Sequence, residues 1–236
     1  MDNWVLFLLI ALPFVGGIAL AFFPSERHDL IRGFAATVSA LCLLLALYTF
    51  LSYDHDVAGY QFIMEFHWLP TLGISYSLGV DGISVLMVLL TGIVFLAGVL
   101  ASWNIAHRPK DFFVLYLLLV AGVFGVFEAQ DLFFFFFFYE LAVVPMYLLI
   151  GVWGSSTDFR TFFRSKEYGA LKLMLYLVAG SVLVWIAILA VYVQAPAEGQ
   201  EASFLFSFLE GARSQYSLDF QRVFFPLFMV GFGVLA

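Results

Sequence analysis

The sequence predicts an all-α polytopic membrane protein of about seven transmembrane helices with its N-terminus outside. Three observations carry that expectation: the composition, the recurrence of apolar runs of spanning length, and the alternation of basic residues between successive connections. Of the 236 residues, 64% are hydrophobic and 11% charged, with 30 Phe and 11 Tyr. So little polar surface does not cover a water-soluble globule of this size. The formal net charge of −7 comes from acids in the segments between apolar runs, so it describes loops rather than a binding face. There is no Gly-rich phosphate loop and no basic patch for nucleic acid. The single cysteine, Cys42, lies inside an apolar run and has no intrachain partner, and no Cys/His cluster has metal-ligand spacing.

A helix climbs about 1.5 Å per residue through roughly 30 Å of hydrocarbon, so a span needs about 20 apolar residues. Runs of that kind place spans at 4–23, 30–52, 81–103, 112–128, 131–153, 169–193 and 221–236. The first contains Ala19-Leu20-Ala21, the small-residue pattern of a signal-peptide cleavage site. No Lys or Arg precedes it, whereas a secretory leader begins positive, so it is read as a retained span. The last reaches Ala236 without a closing loop. Residues 1–236 are therefore expected to form a single transmembrane domain that is the front part of a longer polypeptide.

Orientation follows from Lys and Arg, which stay on the cytoplasmic side. The first, third and fifth connections hold Arg27, Arg32, Arg108, Lys110, Arg160, Arg164 and Lys166. The second, fourth and sixth hold Arg213 and Arg222, among Asp54, Asp56, Glu65, Glu128, Asp131, Glu198, Glu201, Glu210 and Asp219. The odd connections are thus cytoplasmic, and one span more or fewer breaks the alternation. The longest connections, near 53–80 and 194–220, fall on the outer side. Residues 203–210 read equally as a short interfacial helix or as an ordinary packed loop.

Most ionisable residues sit at helix ends, within reach of water. Glu140 does not: it follows Phe133 to Phe138 and Tyr139, precedes a further apolar run, and falls near the middle of its span. Placing a carboxylate there costs about 2.5–3.5 kcal/mol on insertion scales, so such acids usually mark ion paths. Burial penalises the charged form and a nearby cation favours it, and a carboxyl balanced between the two loads and releases a proton. The bland alternative is a hydrogen bond that fixes packing. Pro145, five residues on, removes the backbone bond to the carbonyl of Leu141 and predicts a kink, which lipid tolerates only against protein or water. Lys172, one turn into the sixth span, either reaches the interface along its stem or serves as a proton-relay partner of Glu140. Asp81, followed by Gly82, reads as an acid at a helix N-terminus. Glu128 and Asp131 are expected to be solvated at the outer surface. His67 and His107 read as ordinary loop residues, and the six phenylalanines as packing and lipid-facing side chains.

These residues resemble a known family. Residues 131–154, DLFFFFFFYELAVVPMYLLIGVWG, resemble the fifth transmembrane region of the antiporter-like subunits of respiratory complex I, most closely the subunit M type, also called chain 4. Residues 79–92, GVDGISVLMVLLTG, are similar to the third helix of that subunit, and 168–181, YGALKLMLYLVAGS, to its sixth. The resemblance implies a non-redox translocase subunit that couples quinone reduction to proton pumping. It implies no cofactor in this chain, with quinone, FMN and iron–sulfur clusters in partner subunits. The implied partners are other membrane subunits of a complex I-type NADH-quinone oxidoreductase and the lipid bilayer, with no nucleic acid. The implied location is the bacterial plasma membrane or an equivalent energy-coupling membrane.

In the family the fifth-helix glutamate, matched by Glu140, pairs with a lysine on a broken seventh helix. Lys172 matches a lysine present in some members. Two departures stand out: the second helix bundle of the family is absent from this sequence, and Leu235 falls where many relatives carry the paired lysine. Either that lysine follows Ala236 or another cation such as Lys172 takes its task. The rival readings are an Mrp-type cation/proton antiporter subunit, a membrane-bound hydrogenase or related ferredoxin-driven subunit, and a helix scaffold in which Glu140 only fixes packing.

Overall fold

A computed structural model describes residues 4–159, 162–197 and 200–235. Arg160 and Glu198, both counted in the charge alternation, lie outside the described residues, as do the side chains of Arg164 and Leu235. In chain order the elements are α1 (Val5–Ala21), α2 (His28–Leu51), β1 (Gln61–Leu69), β2 (Ile74–Val80), α3 (Ser84–Ala101), α4 (Pro109–Glu128), α5 (Leu132–Trp153), β3 (Thr157–Phe159), β4 (Phe162–Arg164), α6 (Lys166–Gln194), α7 (Phe206–Gly211) and α8 (Leu218–Leu235). Every expected span falls on a helix, with its ends displaced by a few residues. Five helices, α2 to α6, are long and apolar enough to cross a membrane, and α1 is a shorter apolar helix. The architecture is an all-α polytopic membrane bundle. Hydrocarbon offers the backbone no hydrogen-bond partner, so a spanning apolar run closes its bonds within itself as a helix.

The connection at 53–80 holds more than the all-helical reading allowed, because β1 and β2 pair as a two-stranded sheet. The antiparallel pair β3–β4 turns the chain between α5 and α6, with Thr157 opposite Arg164 and Phe159 opposite Phe162. α5 continues through Pro145, which is buried within it.

The chain divides into two compact units. One comprises Met1–Met64, Leu78–Ala129 and Phe137–Leu149. In it α1 packs on α4 and α2, α2 on α3, and α3 on α4. Leu6, Leu9 and Leu20 of α1, Ile31 of α2, Phe95 of α3 and Phe113, Leu117 and Phe124 of α4 are fully buried. The α5 segment meets α4 at two glycines. A Cβ on Gly122 would lie 2.9 Å from the Phe138 carbonyl oxygen and 3.0 Å from the Ala142 nitrogen, and one on Gly125 would run into the Phe138 ring. Small residues allow backbones to approach this closely, which is how helices gain contact where lipid removes the hydrophobic drive. Lys110 closes the carbonyl end of α1, its Nζ donating to Ala21 O at 3.1 Å and Phe23 O at 3.3 Å, and Arg32 Nη2 donates to Ile105 O at 3.2 Å in the connection after α3.

The other unit comprises Glu65–Ser77, Gln130–Phe136 and Ile150–Ala236. Here α6 packs on α8, and a Cβ on Gly231 would lie 3.0 Å from the Gly180 carbonyl oxygen. Val184 and Ile188 of α6 form its core with Ile74 and Phe204. Lys166 Nζ donates to Val152 O at 2.6 Å, at the carbonyl end of α5. The phenylalanine run packs as expected: Phe136 stacks on Trp185 at 4.7 Å, Phe134 meets Tyr76 at 5.0 Å and Phe135 meets Phe232 at 6.1 Å. Residues 203–210 combine both readings, since α7 is a short helix while Phe204 stacks on Tyr192 at 4.0 Å and Leu209 is buried.

Gly125→Val is expected to destabilise the bundle, because its side chain would run into the buried Phe138 ring and force it to shift. Overpacking of this kind costs about 1–3 kcal/mol. Gly33→Val, where a Cβ meets nothing within 4 Å, is the control. Thermal unfolding in detergent should show a lowered midpoint for the first variant and not for the second.

Candidate functional site

The site is built on α5, and α5 is fixed at its start by Asp131. Its Oδ1 accepts from the backbone N–H of Phe133 at 2.9 Å and Phe134 at 3.2 Å, the bonds of a helix N-cap. Its Oδ2 accepts from the N–H of Ser75 in β2 at 3.1 Å, so one carboxylate ties the hairpin to the helix. Asp131 is fully buried. Burial pushes its carboxyl above the usual range, opposed by the N–H groups of Ser75, Phe134 and Phe133, and Glu65 adds a small push in the same direction as burial.

Two and a half turns further on, Glu140 is half-buried, and its Oε1 is enclosed without a hydrogen-bond partner. The hydroxyl of Tyr139 beside it is also enclosed and unpartnered. Glu140 makes no ion pair among the described residues. Phe138 and Ala142 turn towards α4. Glu140 stands two residues from each, at about 100° per residue, so it lies on the opposite side of the helix from that contact.

The expectation that Glu128 and Asp131 are solvated is wrong. Both are 0% exposed. The connection between α4 and α5 is covered on the chain's own terms: Leu78 of β2 bridges Ala129, Gln130 N–H donates to Ser77 O at 2.8 Å, and Leu132 N–H donates to Phe204 O at 2.9 Å. Asp131 is compensated by three N–H donors. Glu128, the last residue of α4, is not: neither of its carboxylate oxygens has a partner among the described residues. Sequence reasoning missed it because a residue next to a predicted turn reads as exposed.

Lys172 is exposed on α6, with Nζ 5.7 Å from the centre of the Tyr176 ring, and it lines a shallow apolar groove with Tyr168, Leu171 and Leu175. His67 lies on β1 rather than in a loop, with Nδ1 3.0 Å from Ser75 Oγ and 3.7 Å from Glu65. Asp81 behaves as read. Its Oδ1 accepts from Ser84 N–H at 2.7 Å and Ile83 N–H at 3.1 Å, while its own N–H donates to Ser84 Oγ at 2.8 Å. Among the described residues no group of three or more His, Cys, Asp or Glu is placed to hold a metal ion.

Residues 129–234, which include Glu140 and Lys172, match the family model described as NADH:quinone oxidoreductase/Mrp antiporter, transmembrane. A relative, NAD(P)H-quinone oxidoreductase chain 4 2 of Trichodesmium erythraeum, is 31% identical over 227 residues. The chain belongs to this antiporter-like family. The alignment takes in 96% of this antiporter-like chain and 38% of the relative, so the chain spans about two fifths of the length of the curated protein it matches. Respiratory complex I from Thermus thermophilus with bound NADH contains a chain similar at TM-score 0.70 and 25% identity, over 90% of this chain and 39% of that one. A chain of the Mrp complex from Dietzia sp. shares the fold at TM-score 0.71 and 19% identity, over 97% of this chain and 23% of that one.

Asp81→Ala should weaken the first turn of α3 by about 1 kcal/mol, the usual worth of a helix cap. The Ser84 N–H, ahead of the other donors, holds the Asp81 carboxyl below the usual carboxylate range against the opposing effect of burial. The folded state therefore releases this proton more readily than the unfolded chain does. The stabilisation is present at neutral pH and is lost as pH falls through the lowered pKa. Melting temperatures of wild type and variant should converge on acidification, and a gap independent of pH contradicts the assignment.

Proposed function

We propose that this chain is part of a proton-translocating, antiporter-like subunit of a complex I-type NADH:quinone oxidoreductase, acting without a redox centre of its own. It would sit in the bacterial plasma membrane or an equivalent energy-coupling membrane, among other membrane subunits, with quinone, FMN and iron–sulfur clusters in its partners. The observation that carries the reading is Glu140: an acid inside an apolar helix, one oxygen enclosed and unpartnered, within the segment that the family model matches. Its role is to bind and release the transported proton as nearby positive charge varies. Moving one elementary charge across about 100 mV costs about 2.3 kcal/mol, which a change of roughly two units in proton affinity supplies. Lys172 is assigned as a positive partner on the same path. The described residues place no cation within ion-pair distance of Glu140, so its partner is brought near only in another state or by another segment.

The family description and the likeness to the Mrp chain support a second reading, a cation/proton antiporter subunit. Sodium-dependent proton exchange without quinone distinguishes it. The alternation of basic residues supports seven spans with the N-terminus outside. Cysteines placed at Asp56 and at Lys110 report this: an impermeant thiol reagent added outside should label the first alone, and labelling of the second reverses the orientation.

Glu140→Gln, assembled into the complex, should lower proton translocation several-fold while quinone reduction persists in uncoupled membranes. Lys172→Ala should lower it less. Wild-type pumping by Glu140→Gln removes Glu140 from the mechanism.

A further inference from the structure

Glu128 lies on the most buried strip of α4, in line with Leu117, Ala121 and Phe124, which are also 0% exposed. These residues recur at helical spacing, so the carboxyl projects into the interior of the α1–α4 unit. Facing that interior, α2 carries a buried row that includes Ser39, Cys42, Ala46 and Thr49. The Ser39 hydroxyl donates to Ala36 O at 3.0 Å and that of Thr49 to Leu45 O at 2.9 Å, so both spend their proton on their own helix. α1 and α3 contain no titratable residue. Among the described residues no donor and no ion-pair partner meets the Glu128 oxygens.

An ionised carboxylate in such a place has nothing to replace its lost hydration. A metal cation is a poor remedy, because it needs several ligands and among the described residues no group of three or more His, Cys, Asp or Glu is gathered to hold one. A proton needs one oxygen. Glu128 is also separate from Glu140, which lies on the side of α5 turned away from α4. We infer that Glu128 is a second proton-binding site of this subunit, held inside the α1–α4 unit, whose proton exchanges during turnover. The exchange rests on the translocation reading above, and the protonation does not.

Infrared difference spectra of the assembled complex in bilayers test the protonation. Wild type minus Glu128→Gln should show a protonated carboxyl band that shifts in deuterated water and survives in Glu140→Gln. Loss of ionised carboxylate bands instead, or no difference, overturns the site. Proton translocation per quinone reduced should fall several-fold in Glu128→Gln, and a wild-type ratio overturns the exchange. Glu128→Leu should assemble as well as Glu128→Gln, because no partner is lost, and failure of both to assemble makes Glu128 a packing contact. Normal pumping by Glu140→Gln sinks the earlier role of Glu140 and leaves the Glu128 spectrum to be judged by itself.

Discussion

Hydrocarbon supplies no hydrogen-bond partner, and that constraint shapes this protein most visibly where a helix has to stop. Between α4 and α5 the chain turns in three residues, and most of the backbone bonds there come from far away in sequence. Ala129 N–H still bonds back to Gly125 O, Gln130 N–H reaches Ser77 O, Phe206 N–H reaches Gln130 O, and Leu132 N–H reaches Phe204 O. The β1–β2 hairpin and the segment before α7 are the partners that let the chain turn tightly where Glu128 and Asp131 are shut off from water. Without them three polar backbone groups of the turn, the Gln130 N–H and carbonyl and the Leu132 N–H, would need water.

The same requirement separates the acids of the chain by role. Asp131 is fully buried and receives three backbone N–H groups, so its charge is matched and its task is structural. Asp81 is matched in the same way at the start of α3. Glu128 and Oε1 of Glu140 are enclosed and unmatched. A buried polar group with no partner is costly, and such groups persist where function needs them. On the reading proposed above the unmatched acids are the chemical ones, and the matched acids hold the scaffold that aims them.

Aim is set by backbone approach. Gly122 and Gly125 let α4 lie against the backbone of Phe138 and Ala142, which fixes the rotation of α5 about its axis. With those two positions turned to α4, Glu140 is directed to the other side. The phenylalanine run before it is held by ring contacts rather than by charge.

The sequence by itself determined the helices, because a run of apolar residues long enough to span lipid has one way to satisfy its backbone. It also determined Glu140 as an acid in mid-span, Asp81 as a helix cap, and the clustering of Lys110 and Lys166 at helix ends, since each is a matter of near neighbours. Only the tertiary structure decided the burial of Glu128 and Asp131 and the pairing of β1 with β2. Ser75 lies 56 residues from the carboxylate it serves, and no local periodicity encodes a cover that arrives from such a distance. Local pattern reports what a residue is beside in the chain, whereas burial depends on what folds over it.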